Sequence, residues 1–378
     1  MSIAQLAALI GVAGAVTLAL TPFVRRVALR LGLVDEPGGR KVHSGQIPRV
    51  GGVAILGGFA AAVALQVVGE LSFGWRQALT GGSPQIAGCL AGVALIFVVG
   101  LIDDVRGLNA GQKLIGQVLA ASVLIASGLR IDFIGNPFGG LVVLGLLSVP
   151  VTAIYVVAFT NVINLIDGLD GLAAGVSAIG AATMLVLALQ GNQFAAAAFA
   201  AALIGACAGF LRYNFHPASI FMGDSGSMFL GFTLAAISLL GVMKSVAAIA
   251  LLVPLLIVGV PIFDTASAII RRVRHRRPIQ EADRGHIHHR LLGRGFDQRQ
   301  TVLIIYVWSA ALGVGAYAMR WAATPVKLLS FGVLAGLSIF MVYWLGLFEV
   351  AHHHDEHLSE EEPTTDGTTR EGADGEGA

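Results

Sequence analysis

The sequence predicts an all-α polytopic membrane protein of about eleven transmembrane helices, with the N-terminus outside, the C-terminus inside, a small outside β-hairpin and a disordered acidic tail. Three observations predict it. Of 378 residues, 56% are hydrophobic and 12% charged, with a mean hydropathy of +0.79, against about 45–50% and about 25% in an ordinary soluble domain; a soluble enzyme is excluded. The apolar residues fall in long blocks between short charged loops, and about 20 such residues cross the ~30 Å hydrocarbon core. The loop charges are strongly biased to one side.

The apolar runs lie roughly at 3–24, 49–69, 86–102, 112–129, 148–166, 171–190, 194–212, 226–243, 246–270, 301–320 and 325–347. The first has no charged leader and is followed by Arg25 and Arg26, so it reads as a retained span. With the N-terminus outside, 19 Lys and Arg residues fall on inside loops, nine of them arginines between Arg271 and Arg299, and 5 fall outside; positive residues mark the cytoplasmic side. Between the fourth and fifth runs, residues 131–145 are β-branched with turn signals at Gly135-Asn136-Pro137 and Gly139-Gly140, which predicts the hairpin. Pro254 and Pro261 should bend or break the ninth run. The chain divides into a membrane domain over 1–348 and a tail over 349–378 that holds 10 of the 23 acidic residues. That tail is too polar to fold, and its His352, His353, His354 and His357 read as a solvated cluster. Cys89 and Cys207 lie inside apolar runs, where cysteine behaves as a small hydrophobe.

The 13 acidic residues outside the tail carry the information, because carboxylates near a membrane are costly. Only Glu70 and Asp132 fall outside; the rest lie on the inside face or, for Asp264, in the inner third of a span, several of them at helix ends. Asp103 and Asp104 close the third run, and adjacent carboxylates repel unless a cation or proton separates them. In FTNVINLIDGLDGLAAG, Asn161, Asn164, Asp167 and Asp170 recur at three-residue steps, which on a helix makes one polar column; polar glue between helices is the alternative for the asparagines. Asp224 opens the eighth run in Gly-Asp-Ser-Gly-Ser, where it suits either Mg²⁺ or a plain helix cap. Most of the arginines in RRVRHRRPIQEADRGHIHHRLLGRGF serve to anchor that loop to anionic lipid, whereas His286, His288 and His289 beside Arg284 and Arg290 suit a phosphate or a sugar. The loop DEPGGRKVHSGQIPRVGG brings Arg40, Lys41, His43 and Arg49 together as a cationic surface. Acidic clusters facing a basic loop are what magnesium-dependent phosphoryl transfer requires, and placing them in a membrane makes sense if one substrate is a lipid.

In order, these five clusters, spanning residues 35–296, closely resemble those of the polyprenyl-phosphate N-acetylhexosamine-1-phosphate transferases, the superfamily that includes the phospho-N-acetylmuramoyl-pentapeptide transferase of peptidoglycan synthesis. The resemblance implies a bacterial cytoplasmic-membrane enzyme, active on the cytoplasmic side, that transfers a sugar-1-phosphate from a UDP-sugar to undecaprenyl phosphate with Mg²⁺, or Mn²⁺ in its place, and releases UMP. Its expected partners are UDP-N-acetylglucosamine, undecaprenyl phosphate, the bilayer and a second copy of the chain as a homodimer, with no nucleic acid. It further implies Asp224 as the magnesium ligand with Asn164 second, and Asp103 and Asp104 as the pair that orients or deprotonates the lipid phosphate. Asp167 and Asp170 fall at the nucleotide and catalytic site. The implied substrate-binding residues are Arg40, Lys41, His43, Lys113, Asn161, Asn164, His286, His288 and His289.

Two segments separate the branches. RKVHSGQIPRVGG and HIHHRLL resemble the branch that uses UDP-N-acetylglucosamine, where the pentapeptide branch carries a Thr-Pro-Thr-Met-Gly-Gly type segment and three consecutive histidines followed by Phe and Glu. A phosphate monoester has a second pKa near ~6, so the lipid nucleophile is largely dianionic at neutral pH and Asp103 is expected to position and control charge more than to remove a proton. A two-step route through a covalent phosphosugar enzyme is the rival to direct transfer, and the sequence is compatible with both. A secondary transporter is the competing class, but transporter sites lie near the bilayer midplane between repeats, whereas these acids lie at helix ends and no internal repeat is evident.

Overall fold

A computed structural model describes residues 1–35, 46–135, 141–241, 262, 291–292, 294–319 and 324–344. The ninth apolar run with Pro254 and Pro261, the site candidates Arg40, Lys41, His43, His286, His288 and His289, and the tail lie outside the described residues. The described chain is helical apart from two short strand pairs. Its helices are α1 (Ile3–Leu31), α2 (Gly52–Ser72), α3 (Pro84–Arg106), α4 (Ala110–Ala126), α5 (Ser148–Ile166), α6 (Leu172–Gln190), α7 (Phe194–Asn214), α8 (Gly223–Gly241), α9 (Gln298–Met319) and α10 (Thr324–Trp344).

Among the described residues, eight helices are long and apolar enough to cross a membrane, so the chain is a multi-pass membrane protein. Of the eleven expected spans, the ninth lies outside the described residues, and α4 and the apolar part of α10 are shorter than the runs that predicted them. The α4 run was counted through residue 129, but the helix stops at Ala126, where Ser127 and then Leu129 turn their N–H groups back to Val123 and Leu124. Other boundaries shift for equally local reasons. Helix α1 continues two turns past its apolar run, through Arg25, Arg26 and Arg30, until Gly32. Helix α3 continues to Arg106, which places Asp103 and Asp104 in its last turn and not after it. Helix α4 begins in a capping box, with Asn109 accepting from the Gln112 backbone and Gln112 returning a bond.

The strand pairs are local. Phe133–Gly135 (β3) runs antiparallel to Leu141–Val143 (β4), in the segment where a hairpin is predicted. A second pair, Val34–Asp35 (β1) with Ile47–Pro48 (β2), closes the base of the cationic loop, which carried no strand signal.

Helix α8 is the centre of the bundle, with every residue from Ser225 to Gly241 buried. A helix that is apolar all round has no lipid face to keep, and α3, α5, α6, α7 and α2 surround it. Small residues let the outer helices close in: Gly14 of α1 meets the backbone of Gly205 in α7, and Gly209 meets that of Gly14, the close approach that drives helix association in lipid.

The two ends of the bundle differ in chemistry. At one end Gln5 of α1 donates to Gln66 of α2 (3.0 Å), which donates to Glu70 (2.7 Å). Glu70 also accepts backbone N–H groups from Ala78, Leu79 and Thr80, so the α2–α3 loop folds over its carboxylate. The other end gathers the C-termini of α3 and α5 and the N-termini of α4 and α8, and there the remaining described acids of the helices meet.

Candidate functional site

The site is built around the first turn of α8. Its entry residue, Gly223, has φ +71, a left-handed conformation that glycine adopts without strain; an added Cβ there would also meet the Asp104 carboxylate at 2.6 Å. The turn delivers two backbone N–H groups and one hydroxyl to that carboxylate. Asp104 Oδ1 accepts from Asp224 N (2.7 Å), and Oδ2 accepts from Ser225 N (3.0 Å) and Ser225 Oγ (2.5 Å). An acidic residue of α3 therefore caps α8 from another segment, satisfying donors that a helix start leaves open. The approach is close because Gly100 of α3 has no side chain: a Cβ would meet Asp224 O and Ser225 N at 2.7 Å.

Asp224, next to this cap, is the point of convergence. Asn164 Nδ2, in the last turn of α5, donates to Asp224 Oδ1 (2.5 Å) and to Ser227 Oγ (2.8 Å), which fixes the amide's orientation. Lys113, in the first turn of α4, sets its ammonium between Asp224 Oδ2 (3.3 Å) and Asp103 Oδ2. Asp103 Oδ1 accepts from Leu108 N (2.6 Å) in the turn that follows α3. Exposure separates the four groups. The side chains of Asp224 and Lys113 are 31% and 28% exposed, that of Asp103 is 4%, and Asp104 as a residue is 3%. Asp224 and Lys113 can meet a ligand; the α3 aspartates stand behind them.

Asp167, at the C-terminus of α5, keeps some solvent exposure, yet the surrounding protein raises its carboxyl well above the usual carboxylate range. Burial is the largest cause, followed by the negative charges of Asp224, Asp104 and Asp170. The carboxylates of Asp103 and Asp224 share the Lys113 ammonium, and the charges of Asp104 and Asp224 also act on Asp167.

Two expected site residues have protein partners of their own. Asn161, expected to bind substrate, exchanges two side-chain bonds with Gln117 of α4 (3.1 and 2.7 Å) and donates to Val157 O (2.9 Å); its amide is spent as glue between α4 and α5. Asp170, expected at the catalytic centre, accepts from Ala218 N (2.9 Å) and pairs with His216 Nδ1 (2.8 Å). It thus ties the loop between α7 and α8 to the loop between α5 and α6.

That α7–α8 loop collects residues to which sequence reasoning gave no site role. Arg25 Nε of α1 donates to Ser219 O (3.1 Å) and Arg299 Nε of α9 donates to His216 O (3.1 Å). Asn214 bridges Gly171 N (3.1 Å) to Ile220 O (3.0 Å), and Tyr306 OH donates to Gly171 O (2.5 Å). Each is one polar residue in an apolar helix or at a helix end; Arg25 and Arg299 entered the loop charge count, and nothing in the sequence marked Asn214.

A divalent cation fits this donor set. The carboxylate of Asp224 is an accessible oxygen ligand, beside an ammonium that serves as its present counter-charge; Asn164 meets it through its amide N–H, so its carbonyl would join as a second ligand only with the amide turned over. Mg²⁺ takes few protein ligands and fills its octahedron with water and substrate phosphate.

Known proteins are similar to this chain over most of its length. A family model described as glycosyl transferase family 4 matches residues 86–242, from the first turn of α3 to the end of α8. A probable undecaprenyl-phosphate N-acetylglucosaminyl 1-phosphate transferase of Bacillus subtilis is 41% identical over 332 residues, 88% of this chain and 86% of that one. A decaprenyl-phosphate N-acetylglucosaminephosphotransferase of Mycolicibacterium smegmatis is 40% identical over 82% of this chain and 81% of its own. A phospho-N-acetylmuramoyl-pentapeptide-transferase of Desulforudis audaxviator is 36% identical over 80% and 95%.

Proposed function

Because this chain belongs to the polyprenyl-phosphate N-acetylhexosamine-1-phosphate transferases of glycosyl transferase family 4, we propose that it transfers N-acetylglucosamine-1-phosphate from UDP-N-acetylglucosamine to undecaprenyl phosphate, releasing UMP. The product is the lipid-linked sugar that starts a cell-wall or surface polysaccharide. The observation that carries the reading is the convergence of Asp224, Asn164 and Lys113 at the end of the bundle where α3, α5 and α8 meet. Relatives named for N-acetylglucosamine transfer at 40–41% identity support the branch over the pentapeptide one, as do RKVHSGQIPRVGG and HIHHRLL.

In this reaction a phosphate oxygen of the lipid attacks the sugar-bearing phosphorus of the nucleotide sugar. A new P–O–P bond forms, the old one breaks, and its electron pair leaves with UMP. Mg²⁺, or Mn²⁺ in its place, would be held by Asp224 with Asn164, and supplies charge neutralisation for the diphosphate. The chain's own residues do the positioning. Lys113 is accessible and cationic, so it attracts a phosphate group at the same point. Asp103 holds Lys113 and the turn at Leu108, and with both oxygens so engaged it controls charge near the lipid phosphate without needing to remove a proton. The six basic residues of the 40–43 and 286–289 segments supply the remaining charge around the nucleotide and sugar. We place this end of the bundle in the cytoplasm, at the inner membrane of a bacterium, on the strength of the 19-to-5 loop charge bias. The homodimer stays part of the same proposal.

The test is UMP release by purified protein from UDP-N-acetylglucosamine and undecaprenyl phosphate, with and without Mg²⁺, repeated with the muramoyl-pentapeptide nucleotide. Release that depends on Mg²⁺ and on the first donor alone is expected. Release from the pentapeptide donor would move the protein to the other branch, and no release from either would overturn the reading.

A further inference from the structure

Asp104 belongs to an aspartate pair of which either member can be imagined at the chemistry. Its surroundings say otherwise. The residue is 3% exposed, both carboxylate oxygens are occupied, and all three donors come from the first turn of α8. One of those donors is the backbone N–H of Asp224 itself, so the bond acts on the residue whose carboxylate faces the ligand side. The packing reinforces it: Gly100 and Gly223 are bare where α3 and α8 touch, and a methyl group at either would push the two segments apart.

We propose that Asp104 is a positioning residue, acting through the N-terminus of α8 to aim Asp224, and that Ser225 is its working partner. This deepens the transferase reading and rests on Asp224 holding the divalent cation. A charge-assisted bond from a carboxylate to backbone N–H groups is short and strong, so it holds the Asp224 backbone where a single neutral bond would let it fray. Without that hold, the Asp224 carboxylate is no longer aimed, and the cation is bound more weakly although its ligand has not changed.

The experiment titrates Mg²⁺ against the full-length protein in detergent without substrates, following the Mg²⁺-induced rise in melting temperature, and then measures UMP release against Mg²⁺. Wild type, Asp104→Asn, Ser225→Ala, the double variant and Asp224→Asn are compared. The expected result is that Ser225→Ala raises the half-saturating Mg²⁺ concentration by about tenfold, the size of one bond to a charged group. Asp104→Asn raises it further, and adding Ser225→Ala to it has little additional effect, since both changes break the same link. Excess Mg²⁺ restores kcat in Ser225→Ala while KM for undecaprenyl phosphate stays at the wild-type value. A purely structural role would lower the melting temperature and leave the half-saturation point where it was, which would overturn the proposal. So would a wild-type response in Ser225→Ala, a result that also decides the matter if Asp104→Asn does not fold. If Asp224→Asn keeps the wild-type Mg²⁺ response, the metal assignment itself fails; a response lost in Asp224→Asn but unchanged in Ser225→Ala defeats the Asp104 proposal alone.

Discussion

Asp167 shows how a single carboxyl reports the charge of its surroundings. Burial, then the charges of Asp224, Asp104 and Asp170, raise its pKa, so the folded protein favours its protonated form. For an acid shifted upward the sign is fixed: the favourable contribution to folding is full below the unfolded value of about 3.9 and is lost as pH climbs through the raised folded value. Asp167→Asn removes the cost of ionisation. In metal-free protein it should raise the melting temperature at pH 8, with the difference shrinking towards zero as pH is lowered to 4, measured by thermal unfolding in detergent. A variant less stable than wild type at pH 8 would mean that the charge of Asp167 is satisfied by a partner. The same scale separates Asp103 and Asp104, neighbours in sequence whose carboxylates serve different masters: one holds an ammonium and a turn, the other a helix end.

At the level of elements, the contact that matters is α3 against α8. Two helices reach backbone contact only where side chains are missing, and Gly100 provides that place beneath Asp224 and Ser225. Gly100→Ala puts a methyl group against main-chain atoms that cannot rotate away, so α8 must shift at a typical overpacking cost of about 1–3 kcal/mol. Gly11→Ala in α1 is the matched control, because nothing lies within 4 Å of its added Cβ. A lower melting temperature and a large loss of UMP release are expected for the first, and neither for the second; equal behaviour of the two would remove the close approach from the account. The loop between α7 and α8 is a second such device. Asp170, Arg25 and Arg299 reach it from three separate parts of the chain and hold the segment that leads into Gly223.

For the whole molecule, the helices alternate so that the acids sort by end. Glu70 and its loop cover one end, while Asp103, Asp104, Asp167, Asp170 and Asp224 share the other. Single cysteines at exposed Gln77 and Ala110 therefore probe opposite faces, and the native Cys89 and Cys207 are buried. Labelling of intact cells with a membrane-impermeant thiol reagent should modify Gln77→Cys, and should reach Ala110→Cys only after the membrane is opened. Modification of both from the same side would contradict the topology.

Hydropathy alone was enough to define a multi-pass helical bundle and to locate its apolar runs, because in lipid each span must satisfy its own backbone and advertises this as some twenty apolar residues in a row. The acidic and amide residues that make up the site were also legible, since polar groups stand out against such a background: Asp103, Asp104, Lys113, Asn164, Asp167 and Asp224 are all brought to one end. What each does there was not legible. Asn161 and Asn164 differ by three positions on one helix, yet one faces Gln117 and the other Asp224. Asp103 and Asp104 are adjacent, yet one turns to α4 and the other to α8. A side chain's identity is local, but its partner is set by which helices pack together and by how closely glycine lets them approach, and that is decided only when the chain has folded.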